Sequence, residues 1–168
     1  MGFHELKTFN SPQDPAVQLM TLSFDDEHSL FMITMTNMEN KFNEDSITCW
    51  NAALDLVEQK SRDLPSGQAK RAALITRGLG KFYSNGLDLQ AILKLAHFSV
   101  PDRQRHMPIL MQFLETRFLP LLARILAFPL PTIALINGHA YAGGLLFALA
   151  HDARMMQSSR GFLCMNEL

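Results

Sequence analysis

The chain has 168 residues, 48% of them hydrophobic and 18% charged, with a formal net charge of −1. That length supports one domain with a real core rather than two, and the balanced charge, with no Lys/Arg block, gives no footing for nucleic acid as a partner. The longest apolar stretch, residues 119–135, is broken by Pro120, Arg124, Pro129 and Pro131, short of the ~20 apolar residues a membrane-spanning helix needs.

In chain order, residues 1–16 (MGFHELKTFNSPQDPA) carry His4, Glu5 and Lys7 and several turn formers. They predict a flexible arm ahead of a core domain spanning 17–168, and they lack the apolar run of a secretory signal. Two β-like runs follow, VQLMTLSF (17–24) and SLFMITMT (29–36), separated by the acidic turn Asp25-Asp26-Glu27-His28. That is a hairpin pattern. Glu44-Asp45-Ser46 opens a helix in which Ile47, Trp50, Leu54 and Val57 recur at helical spacing, giving one apolar face. Residues 60–70, with Pro65-Ser66-Gly67, predict a loop. AALIT (72–76) is short, apolar and unalternating, as expected of a strand covered on both faces.

After the stretch KFYSNGLDLQ, residues 89–96 predict a helix that Val100-Pro101-Asp102 breaks. Residues 108–128 form a long helical pattern nearly encircled by Leu110, Phe113, Leu114, Phe118, Leu121, Leu122 and Ile125, which predicts burial between elements or subunits. TIALI (132–136) is a second covered strand. NGHAYAGG follows, then LLFALAHD as a helix and ARMMQ as a strand. Strand, crossover helix and strand recur, so the fold class is α/β with a largely parallel sheet. Cys49 and Cys164 are the only cysteines; far apart and without a metal-type partner spacing, they fit buried thiols in a reducing compartment better than a disulfide. An intracellular, soluble protein is expected.

Both covered strands are followed within about ten residues by an Asn-Gly pair, Asn85-Gly86 and Asn137-Gly138. Ligands of open α/β sheets bind beyond the carboxyl ends of the strands, and two glycine-bearing turns there can present two backbone N–H groups to one ligand atom. At Gly143-Gly144 the following helix adds the positive end of its dipole. Converging donors are what a reaction through an oxyanion needs, each worth roughly 3 kcal/mol in a transition state. Either turn alone is ordinary punctuation.

FYSNGLDL and PTIALINGHAYAGGLLFALAHDARMM resemble the two signature regions of the enoyl-CoA hydratase/isomerase (crotonase) family, and ENKFNEDSI fits the family's first ligand loop. The likeness runs from about Val17 to the end and is nearest to the peroxisomal 3,2-trans-enoyl-CoA isomerase branch. It implies a spiral of ββα units, a fatty acyl-CoA substrate whose CoA belongs to the substrate rather than a cofactor, a homotrimer or dimer of trimers, and a peroxisomal address. Carried over by position, the oxyanion donors are the N–H groups of Leu87 and Gly143, and the base is Glu167 in the tail GFLCMNEL. Lys41 and Phe42 occupy the first ligand loop, with Lys41 placed to meet a phosphate or to stand solvated. Ser84, Asn85, Gly86, Gly138, Gly144 and Leu146 complete the substrate-binding set. Family hydratases use a second glutamate where this chain has Leu146. One carboxylate with an oxyanion pair suits double-bond migration from C3 to C2, which needs one base; hydration needs two groups. A non-catalytic acyl-CoA-binding or assembly role remains the other reading. Family members continue past the point where this chain stops, with helices that complete the pocket and the subunit contacts.

Other residues read more plainly. Asp88 fits a helix cap, His139 a packed histidine with its nitrogens satisfied by backbone, and His151-Asp152 a helix end where a histidine complements the dipole. No metal-ligand spacing appears, no G-x-S-x-G elbow accompanies Ser84, and Arg77-Gly78-Leu79-Gly80 lacks the third glycine of a dinucleotide fingerprint.

Overall fold

The computed structural model describes residues 2–94 and 103–165. Strands β1 (His4–Asn10), β2 (Gln18–Asp25), β3 (Leu30–Met35), β4 (Ala73–Gly78), β6 (Thr132–Ile136) and β8 (Ala153–Met156) form a six-stranded sheet in the order β1-β2-β3-β4-β6-β8. The β1-β2-β3 portion is antiparallel, and β3, β4, β6 and β8 run parallel. A smaller parallel sheet holds β5 (Phe82–Ser84), β7 (His139–Tyr141) and β9 (Leu163–Cys164). The chain thus climbs in turns, each giving one strand to the large sheet, one to the small sheet, and then a helix where the turn is complete. The expected hairpin is present, and the strands at AALIT and TIALI, expected in a largely parallel sheet, pair as parallel neighbours with Leu74 opposite Thr132.

Helix α1 (Glu44–Arg62) starts on a capping box: the Asn43 side chain accepts from Ser46 N, and Ser46 Oγ accepts from Asn43 N. Such a cap satisfies otherwise orphaned first-turn donors. Its buried stripe of Ile47, Trp50, Leu54 and Val57 is the one the spacing predicts. Trp50, Phe42, Phe118 and Phe147 form an aromatic cluster with ring centroids 4.8–5.1 Å apart. Phe147 lies on α6 (Gly143–Leu149), so this cluster ties α1 and the loop before it to the second glycine turn.

Several expectations need correction. Of the two thiols expected to be buried, Cys49 is, but Cys164 is exposed on the two-residue strand β9. The N-terminal residues expected as a loose arm form β1, bonded along β2 with register shifts at Glu5/Lys7 and Phe9/Asn10. Those shifts break the alternation a strand would show in sequence. The expected loop at 60–70 contains the end of α1 and a short helix α2 (Ser66–Ala69). Strands β4 and β6 bury one face fully, while Ile75, Arg77, Ile133 and Leu135 are half-buried on the other. The helix at 89–96 is described as α3 (Leu89–Lys94); the break at 100–102 lies outside the described residues.

The long helix is not uniform. It runs as α4 (Arg103–Phe113), a π turn (Leu114–Phe118) and α5 (Leu119–Leu126). Leu119 N donates to Leu114 O, five residues back, immediately before Pro120, whose ring cannot donate and crowds the carbonyl four residues earlier. Nor is it encircled by neighbours: Phe113, Phe118, Leu121 and Ile125 are buried, while Leu119 and Leu126 are exposed by 49% and 69%.

Candidate active site

The first turn follows β5. Gly86 sits at φ +79, and a Cβ there would come 3.0 Å from Tyr141 O, so the position requires glycine twice over. Phe42 N donates to Gly86 O and Asp88 N donates to Phe42 O, each at 2.8 Å. These two bonds straddle Leu87, whose N–H has no acceptor among the described residues. Asp88 caps α3 as expected, accepting from Ala91 N at 3.1 Å.

The second turn follows β7. Ala142 has φ 45 and ψ −121, a conformation costly for an L-residue with a Cβ. Its N–H donates to Cys164 O, and its carbonyl accepts from Leu145 N and Leu146 N. Gly143 N, the first helical amide, has no acceptor among the described residues. It lies 3.3 Å from the place a Cβ would take on Gly86, and Leu87 Cδ2 lies 3.3 Å from that place on Gly143. The two turns are in contact.

They share a cavity of about 620 Å³. Asn85, Leu87, Ala142, Gly143 and Leu146 line it on the turn side. Opposite them stands the wall from α4 to α5: Leu110, Met111, Leu114, Glu115, Phe118 and Leu119, with Leu89 from α3. Leu146 is 37% exposed. Sequence reading missed this helical wall because its apolar residues were counted as core. It also missed Ala142 and Asn40, neither of which carries a chemical signal of its own.

The other expected substrate contacts serve the backbone. Ser84 is fully buried; its Oγ donates to Asn40 O at 2.7 Å and accepts from Gly86 N at 3.2 Å. Asn40, itself buried, donates from Nδ2 to Phe82 O at 2.9 Å. Gly144 and Gly138 are close-approach positions, where a Cβ would come 2.4 Å from Ser84 O and 2.0 Å from Lys81 O respectively, and neither lines the cavity. The Phe42 side chain is buried in the aromatic cluster. Lys41 pairs with Glu39, holding that carboxyl below its ordinary range through its hydrogen bond. Glu167 lies outside the described residues.

Beneath the second turn, Tyr83 Oη lies 2.8 Å from Thr76 Oγ1, which lies 2.9 Å from His151 Nε2; His151 Nδ1 lies 2.8 Å from Phe147 O. Because Phe147 O can only accept, Nδ1 carries the proton, Nε2 accepts from Thr76, and Thr76 accepts from Tyr83. Burial pushes the His151 pKa down to about 4 and the Tyr83 hydroxyl up. His151 is therefore neutral and holds α6 to β4 by hydrogen bonds, not by complementing a dipole. Asp152 accepts from Thr132 N and Oγ1, which lowers its carboxyl pKa. His139 lies within 2.9 Å of Tyr141 Oη, a side-chain partner where backbone was expected.

A spiral of two-strand turns whose glycine loops meet over one apolar cavity is the crotonase type of α/β fold. The chain belongs to the enoyl-CoA hydratase/isomerase family, whose model matches residues 25–167. It is 40% identical over 140 residues to enoyl-CoA delta isomerase 3 of Arabidopsis thaliana, covering 83% of this chain and 52% of that protein. The identity to enoyl-CoA delta isomerase 2, peroxisomal, of the same plant is also 40% over 140 residues, covering 53% of that relative. The chain spans about half the length of these curated relatives. Among solved structures, an enoyl-CoA hydratase/isomerase family protein from Pseudomonas syringae matches with a TM-score of 0.63 at 25% identity, over 86% of this chain and 53% of that one. An enoyl-CoA hydratase from Geobacillus kaustophilus shares the fold with a TM-score of 0.67 at 22% identity, over 96% of this chain and 51% of that one.

Proposed function

We propose that this chain is the oxyanion-bearing part of an isomerase that moves the double bond of an unsaturated fatty acyl-CoA from C3 to C2. The observation that carries the reading is the pair of amides, Leu87 N–H and Gly143 N–H, without acceptors among the described residues, in touching turns on the wall of one apolar cavity. A thioester oxygen placed between them accepts from both. When a base removes a C2 proton, the electron pair passes toward that oxygen and the dienolate forms where the donors already stand, so no reorganisation is needed at the moment of reaction. Return of a proton to C4 leaves the double bond conjugated with the carbonyl.

Glu167 is the base in this reading, carried by its place in the family pattern. Leu146 lines the cavity where family hydratases have a second carboxylate, which favours migration of the double bond over addition of water. Coenzyme A enters as part of the substrate. The names of the Arabidopsis relatives support this substrate class, and two of them support a peroxisomal address; a trimer or dimer of trimers rests on family resemblance alone. Among the described residues no helix is long and apolar enough to cross a membrane.

The test compares turnover of a 3-enoyl-CoA with hydration of the matching 2-enoyl-CoA. Isomerisation without hydration is expected, and Glu167→Gln should lower it by about 100-fold or more while acyl-CoA binding persists. Hydration by the unaltered chain, or unchanged isomerisation by the Gln variant, overturns the assignment. Binding without turnover leaves the acyl-CoA-binding alternative.

A further inference from the structure

Four of the exposed large hydrophobic side chains meet at one place. Leu89, Met111, Leu119 and Leu146 are exposed by 48%, 43%, 49% and 37%, and all four line the cavity that carries the Leu87 and Gly143 amides. Apolar side chains scattered singly over a surface are ordinary, but a converging set marks a surface that an apolar partner covers. The helical wall also gives that cavity a direction. Met111, Leu114 and Phe118 line it at steps of three and four residues, a stripe along the helix axis. Phe118 stands at the amide end, its Cζ 3.2 Å from the place a Cβ would take on Gly143. Met111 comes seven residues earlier, about 10 Å along the axis at ~1.5 Å per residue. Toward the other end the described lining of the wall stops at Leu119. Among the described lining residues only Asn85, beside the first turn, and Glu115, which is exposed, are polar. This lining offers no cation to the phosphates of CoA and suits hydrocarbon.

We propose that the stripe from Phe118 to Met111 is the track of the acyl chain, that its length selects medium-chain substrates, and that Met111 sets the limit. The proposal rests on the acyl-CoA substrate of the reading above, and not on the isomerisation step. With the thioester oxygen at the two amides, the room for the chain lies on the Met111 side. An extended chain advances about 1.3 Å per carbon, from bonds of ~1.5 Å in zigzag. A chain of about eight to ten carbons therefore reaches from the thioester to Met111. Each methylene added up to that point leaves water for the wall. Complete burial of a methylene is worth about fourfold in affinity, and a chain that lies on a wall with one side still wet gains about twofold. Past Leu110 and Met111 the described lining of α4 ends, so further methylenes gain nothing.

The experiment is calorimetric titration of the intact chain with saturated acyl-CoAs from C4 to C14, with CoA alone as the baseline. Affinity should rise about twofold per methylene, roughly sixtyfold from C4 to C10, and then stay level within about threefold to C14. Met111→Gln, close in length and at an exposed position of α4, should lower the C10-to-C4 affinity ratio about fivefold, the worth of the last two or three methylenes. Met111→Leu should keep the ratio, and circular dichroism checks that the helix persists in both. Affinity that ignores chain length, or that climbs undiminished through C14, overturns the track. So does a Met111→Gln ratio equal to that of the parent. Length-independent binding by a chain that isomerises a 3-enoyl-CoA overturns the track alone and makes the apolar wall a surface that other polypeptide covers. Length-dependent binding without turnover supports the track and overturns the isomerase reading. A chain that binds no acyl-CoA overturns both.

Discussion

The two glycine turns reach the same cavity by different means. The turn after β5 obtains its positive φ from Gly86 and is braced from outside itself, by the Phe42 backbone and by the Asn40–Ser84 pair. The turn after β7 obtains its positive φ from an alanine, Ala142, and is braced from beneath by α6, whose far end is tied to β4 through His151. One turn is conformationally relaxed and held by distant chain; the other is strained and held by its own helix together with the Cys164 carbonyl of β9. The difference teaches where each is vulnerable. The first fails when its brace or its glycine is altered, and the second when its helix is loosened.

The largest effect should come from Gly86→Ala. The new Cβ meets φ +79 and the Tyr141 carbonyl at 3.0 Å together, a left-handed penalty of roughly 1–2 kcal/mol before any steric push. Since the displaced segment carries the Leu87 amide, turnover of a 3-enoyl-CoA should fall about 100-fold, the worth of one oxyanion donor. Gly143→Pro deletes the other donor outright and should match it. Wild-type turnover in either variant, with folding verified by circular dichroism, would break the equivalence of the two turns.

Acid should separate them next. His151 has its pKa at about 4 in the folded chain against about 6.5 when unfolded. The unfolded chain therefore binds the proton more readily, and the stability that neutral His151 contributes is whole above pH ~6.5 and lost as the pH falls to ~4. The loss amounts to about 3 kcal/mol at roughly 1.4 kcal/mol per unit. Asp152, its carboxyl lowered by Thr132, adds a loss of the same sign at lower pH. Urea unfolding at pH 7 and pH 4.5 should show the difference, and His151→Gln should flatten it. A stability independent of pH across that range would remove His151 from the account of the second turn.

A smaller loss is expected from Ser84→Ala, which strands Gly86 N and Asn40 O at a buried site. Destabilisation of about 1–3 kcal/mol follows from unmet hydrogen-bonding groups. Because Gly86 keeps its conformation, kcat should fall about tenfold rather than the 100-fold set by a lost donor, with KM little changed. A rise in KM with kcat intact would instead make Ser84 the substrate contact its sequence position suggested.

Much of this contrast was legible in the sequence, though unevenly. Punctuation exposed the strands and both turns: Asn-Gly after AALIT, Asn-Gly and then Gly-Gly after TIALI, and Pro129 and Pro131 ahead of β6. These are signals a short segment carries by itself. Strand β1 was not legible, because two register shifts scramble its alternation and its pairing is decided by β2. The helical wall was misjudged because apolar residues facing a cavity look the same as apolar residues facing a core. Among the described lining residues of that wall only Glu115 departs from the pattern, and Pro120 is the hint of the π turn. Ser84, Gly138 and Gly144 sit in the motif for backbone approach, a requirement that depends on what passes beside them and so appears only in three dimensions.

The smallest change asks whether the strain at Ala142 serves the site or merely accompanies it. Its φ of 45 and ψ of −121 lie where a Cβ costs about 1–3 kcal/mol; glycine there is free of that penalty but gives back roughly 0.5–1 kcal/mol through the entropy of the unfolded chain. Ala142→Gly should therefore stabilise by about 0.5–2 kcal/mol, a rise in Tm of a few degrees for a chain of this size. The bonds that fix the turn all use the backbone of residue 142, its N–H to Cys164 and its carbonyl to Leu145 and Leu146, and glycine keeps every one of them. Turnover should thus stay within about twofold of the parent. A fall in Tm would mean the alanine methyl, which lies near Gly86, packs more than it strains. A stable variant with turnover well below the parent would mean the strained residue stiffens the Gly143 amide in place, and the two turns would then differ in function as well as in construction.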